Sequence, residues 1–516
     1  MSDMVQGRKL RKDLIGSILL GPGKLIVPVV GYAVLYPIIL AKSGQAVLGL
    51  WSLLSGLLAM LTLVDLGFSA YLKRSASACT AEDEWRGVVC RTGSAAARFY
   101  ALSVAGGLVI TAAIIMAFPA AIDRLEDTYS AAALGAAIVL TLVTAFAQLL
   151  SRLAAAALAS VQQNYVVEVI SIVSPLIAFP IAIGGAIIGR PVESLALGYC
   201  LGAIVSFWTL SDRLSVSKNI SVTAFLMAPD TTLRSTKELW NVSRGLFLVS
   251  AGFAIREPIV RFVAASVLGL AAAAWLDIAM RLTIMTKNVI ASGTSVLFPM
   301  ISAMSADQSD ARIVTVSKFS LGFLLCFVTT AELAILAGQE WFYSIWLGQF
   351  DELLRRATIA FAIWNITVIV NVPFWHRIVA TGNERLAAWS LWLQTGIVLT
   401  LVPLSAIVSL SFDTLLFVWL LGAVLTQVMI YTVAQVKFAG VSSVLGSRYI
   451  LASLASTLVV SSIVVYRSYG PAVGLGLDMT SLIAVGAHFL VSSVCMHALW
   501  RETQPSLSSS SEPIHD

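Results

Sequence analysis

Charge is scarce in this chain. Asp, Glu, Lys and Arg make up 12% of its 516 residues, against about 25% in soluble domains. That excludes an ordinary soluble globular protein. Cysteine is sparse too: Cys79, Cys90, Cys200, Cys326 and Cys495 are scattered, with neither a disulfide framework nor metal-ligand spacing. They read as reduced fillers, and no metal or other cofactor is expected. The four histidines (His376, His488, His497 and His515) form no ligand cluster and read as scattered interfacial or tail residues. No phosphate-binding P-loop is present, which argues against ATP as the direct energy source. Long polar stretches are missing as well: the widest gap between apolar runs is residues 211–240.

What is there is apolar. Hydrophobic residues make up 58% of the chain and the mean hydropathy is +0.89. A helix of about 20 apolar residues crosses a hydrocarbon core of about 30 Å. Runs of that kind lie near residues 14–40, 46–72, 95–119, 130–158, 166–189, 195–210, 242–267, 271–297, 317–339, 357–380, 386–410, 414–436, 449–466 and 479–500. The first continues to Leu40, too long for the core of a cleavable signal peptide. The expected fold class is therefore an all-α integral membrane protein with about 14 transmembrane helices. The net charge of +5 carries no nucleic-acid signal, because cations in such a chain chiefly set orientation.

Orientation follows from where the cations fall. With the N-terminus in the cytoplasm, the outside segments hold only Lys42, Arg124, Arg190, Arg355, Arg356 and Arg467. Most of the other Lys and Arg residues lie on the inside segments, and the bias alternates along the whole chain. This predicts both termini in the cytoplasm. The Ser-rich end reads as a disordered tail. The expected domains are an N-terminal lobe over 1–210 (spans 1–6), a cytoplasmic linker over 211–240, a C-terminal lobe over 241–440 (spans 7–12), spans 13 and 14 over 441–500, and a tail over 501–516. Val-Leu-Gly-Leu opens the second span at Val47 and the eighth at Val267. That offset of 220 residues suggests two pseudo-symmetric six-helix lobes plus two C-terminal helices; chance recurrence is the competing explanation.

The informative residues are the ionisable ones inside spans, where a charge costs at least about 2.5–3.5 kcal/mol unless it meets a polar interior. Lys24 follows Gly21, Pro22 and Gly23, which weaken the first span. Arg256, Glu257, Pro258 and Arg261 form the densest charge cluster in any span. Glu257 and Arg261 are four apart and are expected to pair, which would leave Arg256 for a ligand. Lys24, Arg256 and Arg261 are thus the candidate substrate-binding cations. Asp65, Glu257, Asp277 and Glu332 are the candidate ion-coupling or cavity carboxylates. Asp65 also fits a helix cap, and Asp277 also fits an ion pair with Arg281. Trp341, Phe342, Tyr343 and Trp346 read as an outer interfacial anchor.

Three stretches carry a family resemblance. Residues 49–51 with 61–68, including Asp65 and Gly67, form the first. Residues 276–282 with 296–299 form the second, and residues 345–348 the third. Together they resemble the polysaccharide (O-antigen, Wzx-like) flippases of the multidrug/oligosaccharidyl-lipid/polysaccharide (MOP) superfamily. The resemblance implies 12–14 spans in two lobes around a central cavity. It also implies transfer of undecaprenyl-diphosphate-linked oligosaccharide across the bacterial inner membrane, driven in several members by an ion gradient. The partners implied are that lipid-linked substrate, membrane lipids, protons or sodium ions, and a polysaccharide polymerase with its chain-length regulator. The seventh span departs from the family pattern in its charge at Arg256 and Arg261.

The expected function is a non-enzymatic flippase for surface polysaccharide, working by alternating access. A peptidoglycan lipid-precursor flippase and a drug/cation antiporter are alternatives within the superfamily. The antiporter would need an acidic cavity. A membrane-embedded polysaccharide polymerase or ligase is the alternative class, but it usually carries a larger outside loop than residues 340–356.

Overall fold

The computed structural model describes residues 23–61, 65, 67–79, 81–117, 130–161, 163–227, 233–291, 310–380, 383–401, 404, 408–438, 441–469 and 479–508. Among them there are 16 helices. The chain separates into two compact units, Met1–Ala265 and Ser266–Asp516.

The first unit holds α1 (Gly23–Leu61), α2 (Phe68–Ala78), α3 (Glu82–Ala117), α4 (Ala131–Ser160), α5 (Asn164–Ile187), α6 (Pro191–Lys218) and α7 (Val222–Met227). It also takes most of α8 (Leu233–Leu268). Helix α1 is two helices in sequence: Gly44 breaks it with φ 82° and ψ 177°, a conformation open to glycine. Its two arms are the first two apolar runs. Ser130 caps α4 by accepting from the Ala133 amide at 3.3 Å, and Pro191 opens α6, where its missing N–H costs nothing. Asn219 closes α6 in the left-handed region at φ 52°.

Helices α5 and α6 pack through glycine. A Cβ at Gly198 would lie 2.6 Å from the Ala178 carbonyl oxygen, and one at Gly202 would lie 2.6 Å from that of Ser174. This is the close backbone approach that a Gly-x-x-x-Gly face permits. Near the other end of α4 a core gathers Phe68, Trp85, Tyr100, Leu153, Leu214 and Phe225.

The second unit holds α9 (Leu270–Ala291), α10 (Asp310–Leu347), α11 (Glu352–Ala380), α12 (Glu384–Leu399), α13 (Phe412–Lys437), α14 (Val441–Leu445), α15 (Arg448–Tyr469) and α16 (Met479–Ser508). Helix α10 packs on α11, α15 and α16, while α13 packs on α11 and α12. Its 38 residues extend about 57 Å at 1.5 Å per residue, well beyond a hydrocarbon core of about 30 Å. Trp364 and Trp419, both fully buried, pack with ring centres 5.5 Å apart.

Among the described residues, each of the fourteen apolar runs is largely helical, the first two mainly on the two arms of α1. Nine helices among the described residues are long and apolar enough to cross a membrane. One of them is α1 with both arms. Charge keeps α9 out, since it carries Asp277, Arg281 and Lys287, and length keeps α12 out. The segment expected as a linker over 211–240 is largely helical, taken up by α6, α7 and α8. The division at 265/266 falls near the end of α8. Glycines with positive φ stand at the break in α1 (Gly44) and just before α9 (Gly269).

Candidate functional site

Each unit buries its own cluster of polar and charged side chains. In the first, α8 leans on the second arm of α1. An added Cβ at Gly56 would lie 3.2 Å from Pro258 Cβ, so the missing side chain lets the two helices close up. Arg261, one turn beyond Pro258, then reaches across. Its Nη1 donates to the Ser52 carbonyl at 3.4 Å and to Ser55 Oγ at 3.3 Å. Arg256 and Arg261 are only 4% and 7% exposed.

The pairing differs from the sequence expectation. Glu257 does not take Arg261. Its Oε1 lies 3.9 Å from Arg256 Nη2, and Arg261 is held by α1. The physical reason is competition: an i,i+4 helix pair contributes about 0.2–0.5 kcal/mol. A hydrogen bond from a charged group to a buried acceptor contributes about 1.5–3 kcal/mol. Lys24 falls within α1, but its side chain lies outside the described residues.

Asp65 sits between α1 and α2. Its Oδ1 accepts from the Ser69 amide at 3.2 Å and from Ser69 Oγ at 2.8 Å. The hydroxyl of fully buried Tyr100 donates to the same oxygen. This arrangement ties the first turn of α2 to α3, as a cap would.

In the second unit Asp277, 1% exposed, takes Arg281 Nε at 2.7 Å along α9. Glu332 on α10 is fully buried. Asn365 Nδ2, on α11, donates to its Oε1 at 3.0 Å. Glu332 Oε2 and Asn365 Oδ1 are both buried and take no hydrogen bond among the described residues. The ammonium of Lys287 stands 4.7 Å over the ring of Trp364.

Sequence reasoning missed three of these residues. Asn365 and Lys287 gave no signal of their own. His488 was read as interfacial or tail, but it is fully buried. Its Nε2 lies 2.7 Å from Thr329 Oγ1 on α10, and its Nδ1 lies 3.1 Å from Ser456 Oγ on α15. Tyr343 is a second correction. It is buried and not an interfacial anchor, and its hydroxyl lies 3.0 Å from Thr358 Oγ1. Toward the C-terminal end of α10 the buried positions include Leu336, Gln339, Tyr343 and Leu347, so Tyr343 lies on the inward face. Val296, Leu297, Phe298 and Pro299, part of the resemblance, lie outside the described residues. An apolar cavity of about 300 Å³ is lined by Leu282, Ile335, Trp341, Phe342 and Leu482. Its lining among the described residues is almost wholly apolar.

Comparison with known proteins adds a family and a fold. A family described as polysaccharide biosynthesis protein matches residues 64–346, more than half of the chain. No curated protein sequence matches it. Among solved structures, the lipid II flippase MurJ in an inward closed conformation superposes with a TM-score of 0.64 at 13% identity. That match covers 94% of this chain and 99% of MurJ. An inward-facing multidrug resistance MATE family transporter of the MOP superfamily gives 0.54 at 14% identity, over 84% and 96%. A MOP superfamily transporter from Pyrococcus furiosus, whose binding pocket is described as reversed in polarity, gives 0.52 at 15% identity, over 84% and 97%. At these identities the likeness is one of fold: a multi-pass helical membrane protein of MOP type.

Proposed function

The chain belongs to the polysaccharide biosynthesis protein family, and from that premise we propose that it is a flippase for undecaprenyl-diphosphate-linked oligosaccharide. It would carry repeat units across the bacterial inner membrane for O-antigen, capsule or exopolysaccharide, by alternating access. In this reading all fourteen apolar runs span the membrane and both termini lie in the cytoplasm. An impermeant thiol reagent applied to intact cells should then leave Cys79 unlabelled.

The observation that carries the reading is the pair of cations within α8, Arg256 and Arg261. A buried cationic site favours an anionic ligand. A diphosphate crossing the bilayer meets the same penalty as a charged side chain, and the cations offset it. The two arginines do different work here. Arg261 fastens α8 to α1. Arg256 rests against Glu257, which is about a third exposed and so has room to swing away. Substrate entry would exchange that carboxylate for the diphosphate. Lys24 would add a second cation in the same unit.

The test is export at matched protein abundance. Arg256→Ala should lower surface polysaccharide about tenfold, equivalent to ~1.4 kcal/mol. Arg256→Lys should recover part of the loss, because the charge survives but the planar fork does not. Full export by Arg256→Ala would reduce Arg256 to a structural residue and remove the main support for the reading.

A further inference from the structure

Four carboxylates were candidates for ion coupling, and their surroundings separate them. Asp65 is occupied by Ser69 and Tyr100. Asp277 is held by Arg281, and Glu257 lies against Arg256. Glu332 differs from all three: it is fully buried, and one of its oxygens meets no donor among the described residues.

Its partner has the matching deficit. Asn365 donates through Nδ2 to Glu332 Oε1 at 3.0 Å, while its own Oδ1 accepts nothing among the described residues. Two buried acceptors therefore stand on two groups already joined by one hydrogen bond. An ionised carboxylate only accepts, whereas a protonated one has one O–H to donate. A single proton on Oε2 supplies that donor. It removes the charge from the buried site and supplies a donor where the pair has only unmet acceptors.

We propose that Glu332 and Asn365 form a proton-binding site, and that the ion used by this transporter is the proton. This rests on the reading of the chain as an ion-coupled flippase and names the ion and the residue. Loading and unloading are simple proton transfer. On release the O–H bond at Oε2 breaks, the proton passes to water, and the electron pair stays on the carboxylate. Uptake is the reverse.

The neighbours fit a site that changes charge. From α9, Lys287 acts on the carboxylate while its ammonium rests over Trp364, and Asp277 is balanced by Arg281. From α10 itself, the buried Tyr343 hydroxyl lies 3.0 Å from Thr358 Oγ1 of α11. From α16, His488 approaches through Thr329, three residues before Glu332. α11 brings Asn365 and Thr358 to α10, and α15 brings Ser456 to His488, none of which ionises. Beyond Glu332 the packing turns apolar, with Leu333, Leu336, Ala362, Val460 and Val485 in one cluster.

Infrared difference spectroscopy on the full chain in lipid nanodiscs tests this directly. At neutral pH the wild type should show the C=O stretch of a protonated carboxyl. Glu332→Gln should remove that band, and Asn365→Leu should move it, because the amide partner is gone. Glu332→Gln should also melt no lower than the wild type, since a neutral amide mimics the protonated acid and keeps an acceptor for Asn365 Nδ2. Only ionised carboxylate bands at neutral pH would overturn the proposal, as would a clear fall in melting temperature in Glu332→Gln. Loss of the band in sodium chloride, but not in potassium chloride of equal strength, would hand the site to sodium and overturn it too. Export by Glu332→Gln should fall about tenfold, and full export would overturn the coupling role. None of the spectroscopic outcomes depends on the substrate, so they separate failure of the proton site from failure of the flippase reading.

Discussion

Helices α5 and α6 in the first unit are held together differently from α10, α15 and α16 in the second. The first pair meets at glycine, with backbone against backbone at Gly198 and Gly202. The second group is stitched by side chains. Thr329, Ser456 and His488 join α10, α15 and α16, while Ser453 and Ser492 Oγ lie 2.7 Å apart. Lipid tails are as apolar as leucine, so burial alone does not pull helices together in a membrane. What remains is close packing or interhelical hydrogen bonding, and this chain uses each in a different place. The distinction has consequences for function. A glycine seam is rigid and indifferent to protons. A seam built from histidine and hydroxyls, one turn from Glu332, can respond to charge.

The comparison breaks most readily at the glycine seam. Gly198→Val would place its Cβ 2.6 Å from the Ala178 carbonyl oxygen, and backbone has no rotamer with which to yield. Overpacking of even flexible cores costs about 1–3 kcal/mol, and a backbone clash exceeds that. Little folded protein should accumulate, as read by size-exclusion chromatography of the solubilised chain. A monodisperse, stable Gly198→Val protein would show that the seam has slack. The next largest effect is expected at Arg261. Arg261→Met strips a donor from the Ser52 carbonyl and Ser55 Oγ while keeping the stem. Leaving buried acceptors unmet costs about 1–3 kcal/mol, so the melting temperature should fall by several degrees. An unchanged melting temperature would mean that α8 is held to α1 by the Gly56–Pro258 contact alone.

The two kinds of seam were unequally legible in the sequence. The described parts of the fourteen apolar runs are largely helical because span length is a local property, independent of what packs outside it. Gly198 and Gly202 stand four apart in plain view and were readable as a packing face. The side-chain seam was not readable. Thr329 and His488 are 159 residues apart, and Glu332 and Asn365 are 33 apart, on different helices. A helical wheel shows which residues share a face but not what that face meets. The same blindness produced the misassigned partner of Glu257. Its neighbour on the wheel is Arg261, yet the structure gives Arg261 to Ser52 on α1.

The smallest effects should come from the hydrogen-bonded seam, and they sharpen the comparison because they are graded. Interhelical hydrogen bonds in membranes average about 0.6 kcal/mol by double-mutant cycles, with a maximum of about 1.7. Ser453→Ala removes one hydroxyl from the Ser453–Ser492 contact and should cost near the average. His488→Leu removes the contacts to Thr329 and Ser456 together and should approach the maximum. The two changes share the α15–α16 interface, and Ser492 Oγ lies 3.5 Å from His488 Nε2. Their effects should therefore not add. A cycle of Ser453→Ala, His488→Leu and the double variant, followed by thermal melting in detergent, measures the coupling directly. Simple additivity would mean that the hydroxyls and the imidazole act as separate fasteners. A measurable coupling would mean that the three helices share one polar network, so that a change in charge at His488 reaches α10 at Thr329, three residues from the carboxyl that binds the proton in the proposal above.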